Sequence, residues 1–435
     1  MMDFSRPHFN QRILIRNGRV IDPMQVLDQV ADVYIADGLI AGIGQEPLGF
    51  RADFEFDAKG MLVIPGAVDL CARVREPGES QKGSIHSETH AAAAAGITHL
   101  CCLPDTNPII DTRAVAVLIQ ERAYQSGYAH VMPIGAMTRG LEGHQLAEMH
   151  ALREAGCVGV SQLRRPLKSS QVLLRCLEYA STFDLIVFFQ SEEQSLCPAG
   201  GVHAGPTATR LGLPGIPECA ETIALARDLM LVEYTGVRAH FGQISCAASV
   251  ELIATAQARG LPVTADVAVH QLYLTDTMVD GFNSHFHVRP PARTEADRQA
   301  LIDGVKSGVI SVLCSDHQPH EAAAKSQPFS DTASGLSAFS HFLPLSYELV
   351  HNGLLTESEW VQRIAMNPAH LINLDAGHLG QGSNANLCVF DPNARWRLEP
   401  DSILSAGKNT PFLGRELQGR VQLTLRDGTM SYRLG

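Results

Sequence analysis

The chain has 435 residues, 45% hydrophobic and 18% charged, which is ordinary globular composition and enough for one large domain with a small companion. Its formal net charge is −12 and it has no basic run, which argues against nucleic acid or an anionic membrane as a partner. No stretch approaches the roughly 18 unbroken apolar residues that a membrane span needs.

Residues Met1 to Asn10 are polar and hold no apolar signal core. Beyond them, ILIR, Asn17-Gly18 and RVID predict a hairpin. DVYIA, Asp37-Gly38 and LIAGIG predict a second, since both turn pairs tolerate positive φ between β-branched runs. FEFDAKGMLVIPG follows. The far end of the chain has the same style, with NLCVFDP and then GRVQLTLRDGTM around an Asp427-Gly428 turn. Neither end buries a sheet alone. Together, residues 1–65 and 380–435 predict one small β-sandwich with the middle of the chain inserted.

The middle reads as eight buried parallel strands. They are MLVIPGAVDL, ITHLCCLP, HVMPIGAM, CVGVSQL, LIVFFQS, VRAHFGQIS, PVTADVAVH and VISVLCSD. Amphipathic segments lie between most of them, and several stop at a glycine: Gly96, Gly156, Gly236, Gly260 and Gly308. Eight strand-helix units over about 250 residues match a (β/α)₈ barrel, placed here at residues 66–379. A doubly wound sheet fits less well, because no glycine-rich phosphate loop follows the first strand. The run from His320 to Gly335 is long and rich in small residues, and reads as a mobile loop before two closing helices. The 10 cysteines form no CxxC pair and sit in apolar runs, as Cys101, Cys102, Cys157 and Cys314 do. They read as buried free thiols of a cytoplasmic protein.

Catalytic groups of such a barrel stand at the C-terminal ends of its strands. Those ends carry Asp69-Leu70-Cys71-Ala72-Arg73, Ser161-Gln162, Gln190-Ser191-Glu192, Gln243-Ile244-Ser245 and Asp316-His317-Gln318-Pro319-His320. PGAVDLCARVREPG resembles the PGxxDxHxHxREPG segment of dihydroorotases, and LPDTNP resembles their MPNTNP. LGLPGIPECAE, HVRPPARTEADR, SDHQPH and NTPFLG resemble further segments of the long-chain bacterial members, in the same order from about Ile13 to Gly428. The resemblance implies a metal-dependent barrel of the amidohydrolase superfamily with a small β-domain from both chain ends. It implies interconversion of carbamoyl aspartate and dihydroorotate, with zinc generating hydroxide and polarising the carbonyl.

Carried over by position, most of the implied metal shell is replaced. The two histidines of the first motif fall on Cys71 and Arg73. The bridging carboxylate falls on Gln162, and the histidines of strands five and six fall on Gln190 and Gln243; Asp316 keeps the aspartate of strand eight. A neutral amide is a poor zinc donor. A guanidinium about 4 Å from a divalent ion costs roughly 8 kcal/mol at an effective dielectric of about 20. We therefore expect no zinc and no other cofactor. We expect hydrogen-bonded glutamines in the emptied centre and an Arg73–Asp316 pair in place of the metal.

On the substrate side, Arg75 matches the arginine that binds the substrate carboxylate and His320 the histidine beside it. Asp105 stands where the resemblance implies an asparagine, and puts a negative charge against an anionic substrate. As a structural residue, Arg75 would pair with Glu76 or Asp105. A rearranged metal site from Cys71, Asp316 and one of His240, His270, His317 or His320 is the alternative, and would make the chain a working cyclic amidohydrolase. His86 and His90 flank Glu88 on one helix without the HExxH order, and read as a solvated face. The resemblance extends to bacterial dihydroorotase-like chains that lack metal ligands and serve as the non-catalytic partner of aspartate carbamoyltransferase. It implies a homodimer within a larger hetero-oligomer with that enzyme's catalytic chain. A sensor that keeps Arg75 and His320 as a carboxylate clamp is a third possibility.

Overall fold

The computed structural model describes residues 11–197 and 199–435. The polar start, Met1 to Asn10, lies outside them. Eight parallel strands follow one another around a barrel: Ala67–Ala72, Ile97–Cys102, His130–Ala136, Gly159–Leu163, Ile186–Phe189, Ala239–Phe241, Val263–Ala268 and Val312–Cys314. Seven of them lie inside the predicted runs, and the first, Ala67–Ala72, extends two residues past Leu70, where its run ends. The first, AVDLCA, is buried at every position, as expected of a strand covered on both faces. Closure between the eighth and first strands uses an Ala72–His317 bridge, with the Arg73 amide donating to His317 O at 2.9 Å. Buried Asp69 reinforces the seam. Its carboxylate accepts from the Ser315 amide at 2.9 Å and the Cys71 amide at 3.4 Å.

Helices alternate with the strands, including Ile85–Ala94, Arg113–Ser126, Ser170–Thr182, Glu218–Thr235, Ala247–Ala258, Glu295–Ser307 and Phe339–His351. Their ends follow local chemistry. Thr294 caps the helix Glu295–Ser307 in a reciprocal box with Asp297, and Gly308 closes it in the left-handed conformation. All five predicted stop glycines have positive φ.

Both chain ends join in one further sheet. Its order is Thr429–Arg433, Glu416–Arg426, Leu387–Arg397, Leu62–Pro65, Ile13–Asp22, Leu27–Ala36 and Leu39–Ile43, with Phe54–Asp57 also pairing to Ile13–Asp22. The two ends meet where Leu387–Arg397 runs antiparallel to Leu62–Pro65. Period-two alternation sorts the faces: Leu62 and Ile64 join the barrel core, while Val63 joins a separate core with Ile13, Ile35, Val389 and Leu423. The Asp37-Gly38 and Asp427-Gly428 turns link antiparallel strands as predicted, and Ala385 ties the two tips together, its amide donating to Gly38 O at 2.9 Å and its carbonyl accepting from the Gly428 amide at 3.0 Å.

Asn17-Gly18 is not a hairpin turn. It is an irregularity within the single strand Ile13–Asp22, with Asn17 at φ 59°, and the chain reverses at residues 23–26 instead. The segment 320–335 is also more anchored than its composition predicts. Phe329 and Thr332 are buried, and the Lys325 ammonium reaches the carbonyls of Ser284, His287 and Ala333 at 3.2, 3.3 and 2.6 Å. Among the described residues no helix is long and apolar enough to cross a membrane.

Candidate functional site

The strand ends bring Cys71, Arg73, Gln162, Gln190, Gln243 and Asp316 to the barrel mouth. Four non-glycine residues there keep left-handed backbone: Arg75 at φ 63°, Leu163 at 56°, Gln243 at 49° and Asp316 at 47°. Each costs on the order of 1–3 kcal/mol, so the fold still holds an active-site-like backbone under strain.

Arg73 sits inside this mouth rather than pointing to solvent, its side chain 13% exposed. Its nearest carboxylate is Asp105, at 2.8 Å from Nε. Asp316 is 3.8 Å from Nη1, so the expected Arg73–Asp316 pair exists as the longer arm of a bridge whose main arm is Asp105. Burial pushes the Asp105 carboxyl up, but the adjacent Arg73 overrides this and holds it below the usual range. Asp316 is 2% exposed and takes its closer donors from Gln318 Nε2 at 2.8 Å and the Cys71 thiol at 3.4 Å.

The three glutamines do not knit one network across the centre. Gln162 accepts from Thr138 Oγ1 at 2.8 Å and donates to Leu141 O at 3.0 Å. Gln190 accepts from Arg164 at 3.0 Å, with its amide nitrogen 3.9 Å from Cys71 Sγ. The Gln243 amide N–H donates to Asp266 at 2.6 Å, while its buried side-chain oxygen has no partner among the described residues.

Arg75 does not pair with Glu76 or Asp105. Its Nε donates to Pro319 O at 3.0 Å, Nη1 reaches Glu79 at 3.4 Å, and Nη2 lies 3.0 Å from His320 Nε2. Glu76 turns away to Arg122 and to the Ile85 amide. Burial, with Arg73 adding to it, pulls the Arg75 guanidinium down to about 10. Burial, then Arg75, pulls His320 down to about 3, so His320 stands beside Arg75 as a neutral ring.

The chain's donors do not fit the zinc that the resemblance implies. His240 is committed to Asp266 at 2.9 Å, and His317 to Glu88 at 2.8 Å. Cys71 has its thiol pushed far up by burial and then by Asp316, so a thiolate is disfavoured. His270 is buried with both ring nitrogens lacking partners among the described residues, and burial draws it down to about 4. Among the described residues no three His, Cys, Asp or Glu side chains are grouped to hold a metal. The Arg73 cation among the replaced positions opposes a divalent ion.

Glu88 was hidden from sequence reasoning by the flanking histidines. His86 and His90 pack on Tyr128, at ring separations of 5.3 and 4.4 Å. Glu88 turns the other way, is fully buried, and accepts from Ser405 at 2.6 Å and the Ala406 amide at 3.1 Å as well as pairing with His317. His86 is exposed and His90 half-buried, so their side of the helix is the solvated face expected, while Glu88 on the opposite side is a buried partner of His317 after the eighth strand. The signal available was the spacing of Glu88 one turn after the Ser84 cap, which does not specify a distant partner.

Two family models match the chain: one described as dihydro-orotase-like over residues 60–249, and one as the amidohydrolase family over residues 208–430. A dihydroorotase-like protein of Pseudomonas aeruginosa is 51% identical over 97% of this chain and 99% of its own length. A dihydroorotase of Syntrophotalea carbinolica is 40% identical over 97% of this chain and 99% of its own. Among solved structures, an L-hydantoinase (dihydropyrimidinase) from Arthrobacter aurescens shares the fold, with a TM-score of 0.86 at 23% identity over 96% of this chain and 95% of that one. The barrel, the sheet built from both ends and these matches agree: the chain belongs to the amidohydrolase family, within its dihydroorotase-like group.

Proposed function

We propose that this chain is a non-catalytic dihydroorotase-like subunit that assembles with, and supports, the catalytic chain of aspartate carbamoyltransferase in de novo pyrimidine synthesis. The observation that carries this reading is the Arg73 guanidinium at the barrel mouth, 2.8 Å from Asp105 and 3.8 Å from Asp316. A protein cation there stands beside Asp316, the one ligand position retained, and is anchored by Asp105, a carboxylate that the resemblance does not imply. Asp105 also repels the anionic substrate that Arg75 would hold. Five of the six implied ligand positions are replaced while the barrel and its strained mouth are kept, which favours a role carried by fold and surface. Relatives at 51% and 50% identity bear the name dihydroorotase-like protein, whereas those at 38–40% bear the name dihydroorotase.

The test is reconstitution. The purified chain is mixed with aspartate carbamoyltransferase catalytic chains encoded by the same genome and analysed by size exclusion with light scattering. Co-elution as one hetero-oligomer, with no hydrolysis of dihydroorotate, is expected. Separate elution contradicts the partner. Ring hydrolysis that vanishes in Asp316→Ala would instead establish the cyclic amidohydrolase reading, with unpartnered His270 as the residue to test next.

A further inference from the structure

A groove lies away from the barrel mouth, where the helices Ile85–Ala94 and Phe339–His351 pack against the strands Glu416–Arg426 and Thr429–Arg433. Its inner slot is lined by Ala91 and Ala94 of the first helix and by Leu343 and Pro344 of the second, with Trp396 and Val421 from the sheet. The slot has a volume of about 50 Å³. A water occupies roughly 10–15 Å³ of such space, so the slot has room for about four waters, the bulk of a single six-membered ring. Past Ser402, Leu404, Arg420 and Tyr432 it opens into a wider trough of about 470 Å³.

The apolar slot is edged by polar groups with capacity to spare. Arg420 lies over the Trp396 ring at 5.0 Å, and its guanidinium has neither an ion pair nor a hydrogen bond among the described residues. Tyr432 is close enough to feel that charge: burial pushes its phenol up, and Arg420 draws it down. The Tyr432 hydroxyl has no hydrogen-bond partner among the described residues either. Pro344 stands inside its helix. Without an N–H it cannot donate to the Ser340 carbonyl four residues back, and Ser340 lines the same slot. The acidic groups of the trough have other cations near them. Asp401 acts on Lys408, and Gly435 follows Arg433 by two residues. Arg420, at the junction of slot and trough, is the cation left without a counter-charge.

We infer that this groove binds a small flat aromatic anion. Its ring lies in the slot against Leu343 and Pro344, and its carboxylate or phosphate meets Arg420 and the Tyr432 hydroxyl. Charge and shape together select this class. A purely apolar ligand leaves Arg420 and Tyr432 unpaired, and an inorganic anion leaves the slot unfilled. A guanidinium is suited to either anion, since its fork matches both carboxylate and phosphate. No residue of the barrel mouth lines the groove, so the inference stands apart from whether the chain is catalytic.

Trp396 is a built-in reporter, because the other tryptophan, Trp360, is fully buried. Titration of the full chain with phenyl phosphate and with benzoate should quench tryptophan fluorescence saturably, and the tighter of the two tells phosphate from carboxylate. Inorganic phosphate and benzyl alcohol, each half of such a ligand, should give no saturable change. Arg420→Gln should weaken binding at least about tenfold by calorimetry, the effect of losing a charge-assisted hydrogen bond. Ala94→Leu fills the slot with a good helix former and should abolish binding with circular dichroism unchanged. No saturable response to either aryl anion overturns the inference. So does binding that inorganic phosphate reproduces, or that survives either substitution, since it then lies elsewhere on the chain.

Discussion

Lowering the pH from 7 to 4 is expected to unfold the chain, with a midpoint of about 5 set by buried histidines. His99, His270, His287 and His341 are each at most 8% exposed. Burial holds all four below the ordinary histidine value, with His270 and His287 at about 4. Secondary causes are His130 for His99, Lys325 for His287, and His270 for His341.

The folded values are depressed, so their contribution is present above the unfolded value of about 6.5 and is lost as pH falls toward the folded ones. A histidine shifted from about 6.5 to about 4 accounts for on the order of 3 kcal/mol. His270 and His287 alone thus reach the range of the whole stability of a typical domain, about 5–15 kcal/mol, and His99 and His341 act in the same direction. Asp69 works in the opposite sense. Burial raises it to about 7, so its contribution is lost as pH rises through that value. The stability maximum should therefore lie near neutrality. Circular dichroism against pH checks this, and a native spectrum retained at pH 4 contradicts it.

Arg73→Met is expected to destabilise the chain by about 3 kcal/mol, because removing one member of a buried ion pair strands the other. Asp316 is 2% exposed and Asp105 is held ionised by Arg73, so both carboxylates lose their cation together. Methionine keeps most of the side-chain volume, which separates the charge effect from a cavity. Arg73→Lys should recover only part of the loss, since an ammonium cannot reproduce the fork that spans two carboxylates. Urea unfolding with an unchanged slope measures the difference. A cost under about 1 kcal/mol would mean that Arg73 is an ordinary surface cation.

The barrel was legible because buried parallel strands leave continuous apolar runs, and AVDLCA or ITHLCC can hardly be anything else between glycine-stopped helices. Asn17-Gly18 misled because positive φ serves a strand irregularity as well as a hairpin turn, and local sequence does not distinguish them. Motif positions located the residues at the mouth, but not their partners. Arg73 meets Asp105 across 32 residues and Cys71 meets Asp316 across 245, so the choice among carboxylates is made by how neighbouring strands are set, not by spacing. The segment 320–335 looked mobile because its composition is that of a loop. Its anchors, Lys325 and Phe329, are single residues whose burial depends on surfaces supplied elsewhere.

Under the proposed function, the Arg73 cation stands in place of metal at the barrel mouth. The most direct test is the zinc content of the purified chain after growth in zinc-supplemented medium. Near-zero zinc per chain is expected, with Asp316 beside Arg73 in place of metal. A ratio of one or more would contradict it, and would mean that Cys71, Asp316 and His270 have rebuilt a metal site.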